Sequence, residues 1–214
     1  MVTHPLWRPY EPLANADRQG ERIAHRQFQP EPLHEHQTRW FAEFSRVRAL
    51  IEAALHDEVL AMAHVGSTAV PGLVAKPVLD IDLTVPHVQE ESAYIPRLEA
   101  AGFRLIFRDH LGGDAHRQLT FAAPNTNLHV WSPGAVEPRR HQFFTNFLRA
   151  DDAARERYAA AKRAAARDPG LSRYNDLKSA VVYDIYELAF LADPGHLHDP
   201  QPRWSAGSGG TGSS

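Results

Sequence analysis

The stretch His64-Val-Gly-Ser-Thr-Ala-Val-Pro-Gly-Leu-Val-Ala-Lys-Pro-Val-Leu-Asp-Ile-Asp-Leu-Thr-Val85 decides how this chain is read. It is entered from an apolar run, residues 59–65, that reads as a short buried strand and delivers Gly66-Ser67 into a tight turn. Such a turn presents backbone N–H groups and a hydroxyl, donors that can hold phosphate oxygens. The stretch closes on a second strand, residues 78–85, in which Asp80 and Asp82 alternate with Ile81 and Leu83. Alternation sends both carboxylates to one face. Two ionised carboxylates on a half-buried strand repel each other and call for a cation. Their oxygens, with phosphate oxygens and water, are what Mg²⁺ or Mn²⁺ takes. A Gly-Ser pair alone is a turn, and an Asp-x-Asp alone is a solvated edge. Here they lie 13 residues apart on adjoining strand ends, with Pro71-Gly72 and Lys76-Pro77 compacting the loop between them. Together they favour a metal–phosphate site.

Outward from this segment the periods change in order. Before it, Trp40, Phe41, Phe44, Val47, Leu50, Ile51, Ala54 and Leu55 fall at spacings of three and four, predicting one helix over residues 37–56. After it, residues 90–101 predict a helix stopped by Gly102. Residues 103–107, 117–122 and 127–131 predict strands, separated by Gly112-Gly113 and Pro124-Asn125 turns. From Pro138 to about residue 192 the pattern is helical, broken near Asp151 and at Pro169-Gly170. The expectation is an α/β fold of the α+β type: a mixed sheet of about four or five strands with flanking helices. Residues 1–22 are expected to form a flexible N-terminal extension, 23–195 the domain, and 196–214 a flexible tail that ends in a Ser/Gly run.

Composition removes whole classes. The chain has 214 residues, 23 Lys+Arg against 26 Asp+Glu, and a formal net charge of -3. That balance disfavours a long nucleic acid or a membrane surface as partner. With no Cys there are no disulfides, thiolate metal sites or Cys nucleophile. No apolar stretch approaches the ~20 residues a bilayer requires, and Pro5, Pro9 and Pro12 stand where a signal peptide would be apolar. A cytoplasmic location is expected. The basic residues are skewed to Arg, with Lys at positions 76, 162 and 178 alone.

The quoted stretch resembles the signature of the GrpB-like proteins (UPF0157), which are placed in the nucleotidyltransferase superfamily with the DNA polymerase β-like fold. The likeness continues at Glu99-Ala-Ala-Gly-Phe103, Asn127-Leu-His-Val130, Arg140-His141 and Tyr174-Asn-Asp-Leu-Lys-Ser179, covering residues 23–192. The resemblance implies transfer of a nucleoside monophosphate from a nucleotide triphosphate, such as ATP, to an acceptor. Gly66 and Ser67, with Thr68 following, would match the phosphate-contacting residues. Asp80 and Asp82 would match the first two metal carboxylates, for Mg²⁺ or Mn²⁺. The superfamily usually has a third carboxylate, and this chain has Asn127-Leu-His129 there.

His129 is therefore open to three roles: proton acceptor from the substrate, metal ligand beside the aspartates, or orienter of Asp80 or Asp82. Alternation puts Asn127, His129 and Trp131 on one face. His64, two residues before Gly66, is either a site residue or a structural strand-end His. Lys76, Arg117, Arg140 and Lys178 are cationic candidates for triphosphate or acceptor. The expected function is metal-dependent nucleotidyl transfer to a small-molecule or protein acceptor. The alternatives are a nucleotide- or metal-binding module without transfer, and a ligase acting through an adenylated intermediate.

Overall fold

A computed structural model describes residues 1–10, 20–29, 31–167 and 171–203, with side chains of 171–178 not included. The elements, in chain order, are β1 (Gly20–Arg22), α1 (Arg39–Leu55), β2 (Ala61–Val65), β3 (Leu79–Thr84) and α2 (Ile95–Ala100). Then come β4 (Arg104–Leu111), β5 (Asp114–Ala122), β6 (Asn125–Trp131), α3 (Val136–Ala150), α4 (Asp152–Arg167) and α5 (Leu171–Ala192). The strands form a sheet of order β1-β4-β5-β6-β3-β2. All neighbours are antiparallel except β3 and β6, which run parallel. A parallel pair needs a long crossover. Here it is made by α2, β4 and β5.

The α+β expectation holds, with six strands rather than four or five. The extra strand, β1, lies within the stretch expected to be an extension. It pairs with β4 through Gly20↔Asp109, Glu21↔Arg108 and Arg22↔Phe107. The β4 and β5 strands also run further than expected, meeting at Gly112-Gly113, where both residues have positive φ (63° and 93°). The helix expected over 90–101 splits. A 3₁₀ turn takes Glu91–Ala93, and α2 starts at Ile95. Pro96 lacks an N–H and fits only the first turn of a helix, which fixes that start. Its end is as expected. Gly102 (φ 97°) lets its own N–H bond Glu99 O and Phe103 N–H bond Leu98 O, closing a Schellman motif.

The two sheet faces are unlike. Leu79, Ile81, Leu83, Leu105, Leu119, Leu128 and Val130 join Trp40, Val47, Ile51 and Leu55 of α1 and Ile95 and Leu98 of α2 in one buried cluster. The opposite face of the central strands carries Asp80, Asp82, Asn127, His129, Trp131, His116, Gln118 and Thr120, as the registers and alternation require. Beside it is α3, whose first N–H, on Val136, donates to Asp114 Oδ2 at 2.8 Å. Asp151 caps α4 through Ala154 N–H at 2.7 Å.

The chain divides into two compact units, residues 18–159 and residues 1–17 with 160–214. In the second, the N-terminal segment joins α5. The His4 ring stacks on Phe190 at 4.5 Å, and Trp7 Nε1 donates to Glu187 at 2.9 Å. His198, from the stretch expected to be a tail, has a buried side chain 3.1 Å from Glu187 Oε2.

Candidate functional site

Asp80 and Asp82 stand side by side with Asn127 and His129, because the parallel register pairs Asp80↔Asn127 and Asp82↔His129. Asn127 Nδ2 donates to Asp80 Oδ1 at 2.8 Å. On the other side, Asp80 faces the turn after β2. Gly66 has φ 70° and ψ -167°, and a Cβ built there would sit 2.6 Å from Asp80 Oδ2. The glycine is thus required twice, by its backbone angle and by the carboxylate against it. Ser67 and Thr68 follow in a 3₁₀ turn, Ser67–Ala69.

Asp82 is 3% exposed. Trp131 Nε1 donates to its Oδ1 at 2.9 Å, and His141 Nδ1 lies 2.9 Å from its Oδ2. His141 is held above the usual histidine pKa. Burial opposes its charge, but the hydrogen bond to Asp82 and the charges of Asp82, Glu137 and Asp80 outweigh it. The cation that two neighbouring carboxylates call for is therefore supplied in part by the chain, from α3. His141 lies within Arg140-His141, one of the stretches that carry the family resemblance, but no period or spacing in the sequence marks it as a partner of Asp82.

Behind His129 runs a buried row. Asp109 Oδ1 bonds His116 Nδ1, and His116 Nε2 lies 3.0 Å from His129 Nδ1. His116 is fully buried and Asp109 nearly so. With His116 neutral, its Nδ1–H donates to Asp109, so its Nε2 accepts from His129 Nδ1–H. His129 Nε2 is then an acceptor. A hydrogen bond to the far ring nitrogen in this way fixes the tautomer of metal-binding and proton-accepting histidines. A third carboxylate is thus present on the polar face, but it is linked to His129 through an imidazole.

The other predicted residues are scattered. His64 lies on β2 opposite Ile81. Its Nε2 donates to Thr68 Oγ1 at 3.0 Å, and the Thr68 hydroxyl donates to Val78 O at 3.1 Å. Burial first, and then the charge of Arg149, push the His64 pKa down to about 4. His64 and Thr68 therefore tie the strand end to the loop, and His64 does not share the carboxylate face. Arg117 requires a correction. It pairs in register with Val130, on the apolar side of the sheet, and bonds Glu91 there. Arg140 is in α3, with Nε 3.3 Å from Glu137. Lys76 is half-buried in the loop before β3. The Lys178 side chain lies outside the described residues.

As donors, Asp80, Asp82 and His129 suit a divalent cation whose remaining ligands are phosphate oxygens and water. Among the described residues, three potential ligand atoms come within 4.8 Å of one another at a different place: His4, Asp193 and His196. There, His4 Nδ1 accepts from Leu6 N–H, so its Nε2 carries the proton that it gives to Asp193 at 3.0 Å. That group is a hydrogen-bonded clasp. No helix among the described residues is long and apolar enough to cross a membrane.

The chain is 38% identical over 161 residues to a UPF0157 protein of Halalkalibacterium halodurans, covering 73% of this chain and 81% of that one. A dephospho-CoA kinase of Mycolicibacterium paratuberculosis is 29% identical over 178 residues, covering 71% of this chain but 44% of the kinase. The crystal structure of GrpB from Enterococcus faecalis superposes with a TM-score of 0.64 at 24% identity, covering 74% of this chain and 97% of that one, and so shares the fold. The family model described as GrpB protein matches residues 32–188, and the chain belongs to the GrpB family.

Proposed function

We propose that this protein is a metal-dependent nucleotidyltransferase that moves a nucleoside monophosphate from a nucleotide triphosphate to an acceptor. The observation that carries the reading is the contact of Gly66 with Asp80, on the face that also holds Asp82 and His129. A Gly-Ser turn is a kind of backbone that can hold phosphate oxygens, and neighbouring carboxylates are oxygen donors that a divalent cation takes. Asp80 and Asp82 would hold Mg²⁺ or Mn²⁺, with His129 adjoining. Bound there, the ion neutralises triphosphate charge. The Gly66-Ser67 turn would orient the terminal phosphates. In the tautomer in which a neutral His116 donates Nδ1–H to Asp109, His129 Nε2 would take the acceptor's proton as the acceptor's oxygen bonds the α-phosphorus and pyrophosphate leaves. His141 would leave Asp82 as the cation enters.

The test is pyrophosphate release from the common nucleotide triphosphates with Mg²⁺ or Mn²⁺ over a broad acceptor panel. The wild type should release it, and Asp80→Asn/Asp82→Asn should lose at least 10²-fold while keeping its fold. Release at the double-variant level would count against transfer. A second reading, a nucleotide-binding module without chemistry, draws on the matching share of a larger protein named as a dephospho-CoA kinase. It is distinguished by metal-dependent nucleotide binding without turnover.

A further inference from the structure

Arg149 is held differently from several other arginines of the described chain. Arg48, Arg97, Arg108, Arg117 and Arg155 each face a carboxylate. Arg149 is held by neutral acceptors: Nε and Nη2 donate to Ala69 O at 3.0 and 2.8 Å, and Nη1 donates to Asn146 Oδ1 at 3.2 Å. No carboxylate lies within 4.0 Å of it among the described residues. Three of the five N–H groups of a guanidinium are committed. The head is pinned in place with two donors and its full charge remaining.

Beside it is a cavity of about 350 Å³ between α1, β2 and α3, at the edge of the sheet. That is the size of a small-molecule site. One wall is aromatic, with His64 stacked on Phe44 at 4.8 Å and edge-on to Phe41 at 5.9 Å. With its pKa near 4, the His64 ring stays neutral and serves as wall. Gln142 and Asn146 add amides. A cation without a counter-ion next to a flat apolar wall is complementary to an anion with a flat body.

We infer that this cavity binds a small aromatic anion, with its carboxylate or phosphate on Arg149 and its ring against Phe41 and Phe44. The floor, β2, runs into Gly66, Arg149 grips the turn at Ala69, and α3 carries both Arg149 and His141, which bonds Asp82.

The test is calorimetry without metal or nucleotide. The probes are 4-hydroxybenzoate and phenyl phosphate, with neutral 4-hydroxybenzamide and non-aromatic succinate as controls. Both aromatic anions should bind at least tenfold tighter than either control. Arg149→Gln should abolish the preference over the benzamide, Arg149→Lys should keep part of it, and Phe41→Ala should abolish the preference over succinate. Asp80→Asn/Asp82→Asn should bind the anions as the wild type does, so that loss of transfer and loss of this site are read separately. Aromatic anions binding no tighter than the controls would overturn the inference. So would unchanged affinities in both Arg149→Gln and Phe41→Ala. Should Arg149→Gln unfold, Arg149→Lys and Phe41→Ala decide.

Discussion

Gly66 carries more of the site than its size implies. Its angles, φ 70° with ψ -167°, are nearly closed to other residues, and the space a side chain would need belongs to Asp80. Strain of this kind costs about 1–3 kcal/mol. Gly66→Ala should therefore lower stability by about that amount in urea unfolding and displace the Asp80 carboxylate. Metal-dependent nucleotide binding should weaken by more than tenfold in protein that remains folded by circular dichroism. A variant with wild-type stability and binding would mean that the turn and the carboxylate do not work together.

At the scale of elements, the site is two parallel strands with one helix laid beside them. His141 reaches Asp82 from 59 residues away, across the β6–α3 connection. The pairing has a pH signature in the metal-free protein. Because the folded-state pKa of His141 is raised above the ordinary histidine value of 6.5, its contribution to stability is complete below pH 6.5. It is lost as pH rises through the folded value. An NMR titration of the His141 ring should give a midpoint above 6.5 that falls in Asp82→Asn, and the corresponding decline of stability with rising pH should vanish in that variant. A wild-type midpoint at or below 6.5 would contradict the pairing.

Much of this layer was legible in the sequence. Period-two alternation put Asp80 with Asp82, and Asn127 with His129 and Trp131. The 3.6-residue period placed α1 within two residues at its start and one at its end. Alternation also held the signal that excludes Arg117. It shares parity with Leu119 and Phe121, whereas His116, Gln118 and Thr120 share the polar face. What the sequence could not convey was register and docking. His141, His116 and Asp109 become neighbours of Asp82 and His129 only once β4, β5, β6 and β3 are aligned and α3 is laid down. At three residues, β1 is too short to show any period.

At the scale of the molecule, the unit of residues 18–159 joins an apolar sheet face, which builds the core, to a polar face, which holds the carboxylates. The same alternation serves both. Ile81 is fully buried in the core between Asp80 and Asp82, so the polar face is stiffened by the packing behind it. A net charge of -3 with local cations at Arg149 and His141 fits small charged ligands better than a long polyanion. The central claim is that the polar face binds a metal–nucleotide pair through Asp80 and Asp82. It is tested most directly by calorimetric titration of a non-hydrolysable nucleotide triphosphate, with Mg²⁺ or Mn²⁺, into the wild type and into Asp80→Asn/Asp82→Asn. The prediction is metal-dependent binding to the wild type and at least 10²-fold weaker binding to the folded variant. Equal affinity in the two proteins, or no binding of any nucleotide to the wild type, would contradict it.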